Sequence, residues 1–184
     1  MTTLCYYREL AIDQVSRQYN VEKQGLMCLE ALLYKAYHPP LRQALAFSMT
    51  DARLRVNTLR GLLSSMNAST QAISTAGANG ILKEGFQRLE QETNIARRDA
   101  IILQTVILLH QYRLGNYRII YHYFRALDLG YEAYLLQGLL TDAKATLNQF
   151  TDLLTAIPSE PVTSAPPAVS PASPSPVTEP AVAQ

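Results

Sequence analysis

Ile101-Ile102-Leu103-Gln104-Thr105-Val106-Ile107-Leu108-Leu109-His110-Gln111-Tyr112-Arg113-Leu114-Gly115-Asn116-Tyr117-Arg118-Ile119-Ile120-Tyr121-His122-Tyr123-Phe124 contains no proline and no strand-like alternation. Positions three and four apart read Leu103, Val106, His110, Arg113, Tyr117, Ile120 and Phe124. That spacing places all of them on one face of a helix. The stretch predicts a long helix from about Ala96 to Leu127, stopped by Asp128-Leu129-Gly130 with its glycine. In the middle of the face, His110 and Arg113 interrupt an otherwise apolar stripe.

The same design recurs outward in both directions. A first long helix is predicted from about Tyr7 to Tyr37, with Ile12, Val15, Tyr19, Glu22, Leu26, Leu29 and Leu33 along its seam. Pro39-Pro40 ends it and opens a second helix to about Met66. The second seam reads Leu41, Leu45, Ser48, Ala52, Arg55, Leu59, Leu62 and Met66. From Asn67 to Gly80 the residues are small, polar and glycine-containing, which predicts mostly loop. A short amphipathic helix follows, with Leu82, Gly85, Phe86 and Leu89 on one face. The last helix is predicted over Tyr131 to Ala156, with Leu135, Leu139, Asp142, Thr146, Phe150 and Leu153 as its seam. Short links joining the first and last pairs, and a long one between the pairs, imply an all-α, ferritin-like antiparallel four-helix bundle over residues 6–156, with the short extra helix in the crossover.

Composition narrows the function. Of the 10 prolines, eight fall in the stretch 157–184, which is rich in Pro, Ala and Ser and carries only Glu160 and Glu179 as charges. Such a segment is expected to be a disordered tail, because it lacks apolar surface to offset its ordering entropy. The formal net charge of +1 argues against a nucleic-acid surface. No apolar run is long enough to span a membrane, and the first residues lack the layout of a secretory leader. Cys5 and Cys28 match no metal or redox spacing, which suits reduced thiols and a cytoplasmic location. His38 reads as a solvated helix-end residue, and His122 as part of tyrosine-rich packing or a dimer surface. No phosphate-binding glycine loop occurs; Gly77-Ala78-Asn79-Gly80 follows no strand.

The polar residues at mid-seam are the candidate site: Glu22 from the first helix, Ser48, Asp51 and Arg55 from the second, His110 and Arg113 from the third, and Asp142 from the fourth. Carboxylates from four helices are how bundles build di-iron and di-manganese centres. The charges also admit another reading. Glu22, Asp51 and Asp142 supply three negatives, Arg55 and Arg113 two permanent positives, and His110 a conditional third. The set can neutralise itself as a salt-bridged layer, and guanidinium forks match carboxylates well.

Several segments resemble the ferritin-like YciE/YciF group, the DUF892 family. Tyr19-Asn20-Val21-Glu22-Lys23-Gln24 is similar to its Tyr-x-Ala-Glu-Lys-Gln opening, and Leu41-Arg42-Gln43-Ala44-Leu45 to its second-helix start. Gly80-Ile81-Leu82-Lys83-Glu84-Gly85, Arg98-Asp99-Ala100 and Leu140-Thr141-Asp142-Ala143-Lys144-Ala145-Thr146 resemble its later helices. The likeness covers about residues 8–156. It implies a bacterial, stress-associated, dimeric bundle with a di-metal position. Glu22 matches the family's first glutamate, while its second-helix histidine, glutamate and glutamine fall on Ser48, Asp51 and Arg55. Its Glu-His-Tyr-Glu falls on His110-Gln111-Tyr112-Arg113, and its fourth-helix glutamate on Asp142. The expectation is a degenerate metal position with no cofactor, in a homodimeric structural or interaction protein that is not an enzyme. The competing expectation is a metal-binding protein with residual oxidoreductase activity, using Glu22, Asp51, His110 and Asp142 to hold Fe or Mn.

Overall fold

The computed structural model of the chain describes residues 3–70, 73 and 75–156. The tail anticipated over 157–184 lies outside the described residues. Helices α1 (Thr3–Lys35), α2 (Pro39–Ser65), α3 (Ala76–Gln91), α4 (Ile95–Ala126) and α5 (Gly130–Ala156) account for nearly all of them. Pro39 and Pro40 begin α2 where a missing N–H costs nothing. The turn from α1 to α2 is tied down from across the bundle: buried Asp99 of α4 accepts the Tyr37 and His38 backbone N–H groups, each at 2.8 Å. His38, half-buried, is the N-cap residue of α2 and so sits inside this tie. Asn94 caps α4 by accepting from Arg97 N–H at 3.1 Å. Helices α2 and α4 both end through a left-handed residue, Asn67 (φ 53°) and Asp128 (φ 56°). Asp128, rather than the anticipated Gly130, makes the stop, and Gly130 is already the first residue of α5.

Directions follow from paired contacts. Gln14 and Glu22 of α1, and Tyr37 just past its end, meet Asn116, Tyr117 and Asp99 of α4, so these helices run antiparallel. Arg8 of α1 donates to the Met66 carbonyl past the end of α2, while Glu22 meets Arg55, so α1 and α2 are antiparallel too. Helices α4 and α5 are joined by a tight turn and pack along their length, and α5 also packs on α2. The four long helices therefore close a bundle in which neighbours alternate in direction. The crossover between α2 and α4 carries α3.

Helix α3 starts earlier than its composition suggests, at Ala76. Ala78 is buried with Val21, Leu82 and Leu109. A Cβ on Gly77 would stand 2.8 Å from the Tyr112 ring, and one on Gly85 would collide with Thr105. Gly77, which argued for loop, and Gly85, expected on the helix face, are contact points where α3 lies close against α4. No helix is long and apolar enough to cross a membrane among the described residues.

Besides the small apolar group under α3, the core of the four long helices consists of two apolar bodies. One gathers Val15, Tyr19, Leu59, Leu62, Ile120, Phe124 and Leu136 towards one end. The other gathers Leu29, Leu32, Leu41, Leu45, Ile102, Leu103, Val106 and Phe150 towards the other. Between them lies the polar layer.

Candidate functional site

Glu22 is the centre of that layer and is fully buried. Its Oε2 accepts from Arg55 Nε at 3.0 Å, and its Oε1 accepts from Tyr117 Oη at 2.7 Å and from Gln18 Nε2 at 3.0 Å. Arg113 Nε stands 3.6 Å from Oε1, an ion-pair distance too long for a hydrogen bond. Gln18 is held in turn by Asn116, whose Nδ2 donates to its Oε1 at 3.0 Å, and Asn116 accepts from Gln14 Nε2 at 3.1 Å. Gln14, Gln18 and Glu22 are one turn apart on α1, so the chain of hydrogen bonds follows the α1–α4 seam inward.

Electrostatics follow from enclosure. Burial pushes the Glu22 carboxyl up, but the guanidinium groups of Arg113 and Arg55 and the Tyr117 hydrogen bond outweigh it and hold the group below its ordinary value, ionised. Burial, joined by the positive fields of Arg113 and Arg55, pushes His110 well below the usual imidazole range, so it is neutral. Burial and the Glu22 charge push the Tyr117 phenol well up, which keeps it a donor. A Cβ on Gly25 would stand 3.0 Å from Arg113 Nη2, so the missing side chain in mid-α1 makes the room that the guanidinium occupies.

The anticipated residues divide. Glu22, Ser48, Arg55, His110 and Arg113 are all buried. Asp51 is half-buried and acts on Arg55 only through its charge. Asp142 is exposed and is not part of the layer, a correction with a simple cause. The buried face of α5 is Ala133, Leu136, Leu139, Ala143, Thr146, Leu147 and Phe150, one residue out of phase with the anticipated seam at Leu135 and Asp142. Thr146, whose hydroxyl donates to the Asp142 carbonyl at 2.9 Å, is what α5 presents near mid-bundle. The layer therefore holds one fully buried carboxylate against two guanidinium groups, and the self-neutralising count of three negatives does not hold.

This donor set does not fit a di-metal group. No three His, Cys, Asp or Glu side chains gather as metal ligands among the described residues, so Glu22, Asp51, His110 and Asp142 do not converge. Both Glu22 oxygens already face N–H or O–H donors, and fixed positive charges stand where a cation would sit.

A family model described as "Domain of unknown function (DUF892)" matches residues 7–162. The chain belongs to the DUF892 family. Among solved structures it is similar to the E. coli stress protein YciF, at 21% identity and a TM-score of 0.79, over 88% of this chain and 100% of that one. It is also similar to YcfI of Rhodopseudomonas palustris, described as a candidate structural protein, at 16% identity and a TM-score of 0.76, over 79% of this chain and 92% of that one. A protein of Xanthomonas campestris pv. campestris matches at 12% identity and a TM-score of 0.67, covering 83% and 92% respectively. At these identities the likeness is one of fold. No curated protein sequence matches.

On this DUF892 scaffold, reasoning from the seams missed Gln18, Asn116 and the polar role of Tyr117. The i, i+4, i+8 spacing of Gln14, Gln18 and Glu22 was the available signal. Gly25 was another, since a glycine in a helix interior costs about 1 kcal/mol and asks for a reason.

Proposed function

We propose that this DUF892 bundle works without a bound metal, as a structural or interaction module of a stress-associated, homodimeric protein in the cytoplasm, and not as an enzyme. One observation carries the reading: Glu22, the residue that matches the family's first-helix glutamate, is engaged by Arg55, Arg113, Tyr117 and Gln18. A carboxylate so engaged is a structural anion. The descriptions of YciF as a stress protein and of YcfI as a candidate structural protein agree with a structural, stress-associated role.

The surface available for assembly differs from the tyrosine-rich strip anticipated on α4. Tyr117, Ile120 and Phe124 are fully buried in their own bundle, and Tyr121 and Tyr123 are half-buried. Ile119 of that strip is exposed, and further exposed apolar side chains include Met27 and Tyr34 of α1 and Phe47 and Leu54 of α2. Adjacent antiparallel helices carrying such residues suit an isologous two-fold contact. The deciding measurement is elemental analysis of protein purified without chelator and after incubation with Fe²⁺ or Mn²⁺. Substoichiometric metal in both samples is expected; one or two tightly held ions per chain would overturn the reading.

A further inference from the structure

The polar layer has more hydrogen-bond donors than acceptors and more positive charge than negative. Arg55 is 2% exposed and Arg113 1%. Glu22 uses only the Nε of Arg55. Both terminal nitrogens of Arg55, and all three guanidinium nitrogens of Arg113, are buried without a hydrogen-bond partner among the described residues. The same is true of both ring nitrogens of His110 and of the Ser48 hydroxyl, which lies two turns from Arg55 on the same face of α2. Glu22 cannot serve these groups further, since both of its oxygens already accept. Asp51 is half-buried and lies at the border of the layer.

A native core rarely leaves so many buried donors unmet, and an uncompensated buried guanidinium is costly. Water could accept from the donors but brings no charge. Only an anion answers both deficits. Its charge is set by the count inside the enclosure, two guanidinium groups against one fully buried carboxylate with Asp51 acting on Arg55 only from the border, which leaves no more than a single positive charge to match. Its size is set by enclosure: Glu22, Arg113 and His110 are at most 1% exposed, and apolar bodies close the layer on both sides.

We propose that the mid-bundle layer is a binding site for one small monovalent inorganic anion of the halide class, held by the free N–H groups of Arg55 and Arg113 beside His110. The inference goes beyond the metal-free reading but rests on it, because a cation and a halide cannot share these donors. An anion here takes a position comparable to the one a cation takes in carboxylate-rich bundles. It stabilises the folded chain by mass action, since the site exists only when the four helices are assembled.

The test uses the full chain in two measurements. In the first, thermal unfolding is followed as sodium chloride replaces sodium gluconate at constant ionic strength. Chloride at a hundredfold excess over its Kd should raise Tm by about 5 to 10 °C. The variant Arg113→Met, which leaves Glu22 and Arg55 as a balanced pair, should lose that rise. In the second, crystals of the unmodified chain grown in bromide should show an anomalous peak within hydrogen-bond reach of Arg55 and Arg113, which keeps the test independent of how the variant folds. A Tm that responds equally to both salts, or water alone in the layer, overturns the anion site while leaving the metal-free reading intact. Iron or manganese in the layer overturns both.

Discussion

Replacing Glu22 by Gln removes one negative charge and almost no volume. Glutamine keeps an oxygen that can still accept from Tyr117 Oη, now at 2.7 Å from Oε1. It also places an NH₂ group where Oε2 accepts from Arg55 Nε at 3.0 Å, so donor faces donor. Two guanidinium groups, each almost fully buried, then lose their shared carboxylate. Breaking a buried pair in this way costs about 3–5 kcal/mol. Against a typical domain stability of about 5–15 kcal/mol, that is about a fifth of the total or more. For a chain of this size it corresponds to a fall in Tm of roughly 6–20 °C. The assay is urea unfolding followed by helical circular dichroism, at pH 7.5, for the wild type, Glu22→Gln, Arg55→Met and the double variant. The double variant should recover at least about 1 kcal/mol relative to the sum of the singles, the coupling expected of contacting residues in one network. Its recovery stays partial because Arg113 remains; adding Arg113→Met should restore more, since apolar replacement of a whole buried ionic set is often neutral or stabilising. A Glu22→Gln protein within about 1 kcal/mol of the wild type would refute the account of Glu22 as the counter-charge of the layer.

His110 has a folded pKa well below its ordinary value, so the unfolded chain binds its proton first and stability falls as pH drops below about 6.5, by at most about 1.4 kcal/mol per pH unit. His110→Leu should flatten that slope in urea unfolding between pH 7.5 and 5, and equal slopes for both proteins would contradict it. Glu22 works in the same direction at lower pH: its folded pKa is lowered, so its contribution is complete above the ordinary glutamate value and is lost as pH falls through the lowered one. Asp99→Ala leaves the Tyr37 and His38 N–H groups without their acceptor and should cost about 3 kcal/mol, given the strength of hydrogen bonds to a charged group. Hydrogen exchange should show the loss first at those two amides.

The bundle was legible because a polar residue in mid-seam marks the inward face of three of its four long helices. Glu22 in α1, Arg55 in α2, and His110 and Arg113 in α4 all face inward as their spacing requires. Helix α5 is different. Leu135-Leu136, Leu139-Leu140 and Leu153-Leu154 are doublets, so two apolar seams exist one residue apart. One contains Asp142 and the other Ala143, and only packing against α2 and α4 chooses Ala143. A slip of one residue turns a helix by about 100°, enough to move a carboxylate from core to solvent. Of the two readings of the aromatic residues late in α4, packing within the bundle holds for most of them. A wide buried stripe takes Tyr117, Ile120 and Phe124, and Tyr123 beside it is half-buried with Tyr7 of α1 packed at 6.0 Å. The Gln18–Asn116 link joins residues far apart in the chain, and no single-helix pattern encodes such a pairing.

The separation of the core into two apolar bodies has a consequence for how the native chain opens. The charged layer is a septum: on either side lies a hydrophobic compartment with its own complement of four helices. Neither compartment can admit water without solvating one face of the septum, where Glu22 and the guanidinium groups draw their attraction from low polarisability. Fraying at one end therefore weakens the ionic contacts on which the other end closes. The septum makes two compartments, each small for independent stability, behave as one cooperative unit, and the long helices that cross it melt together rather than from their tips inward.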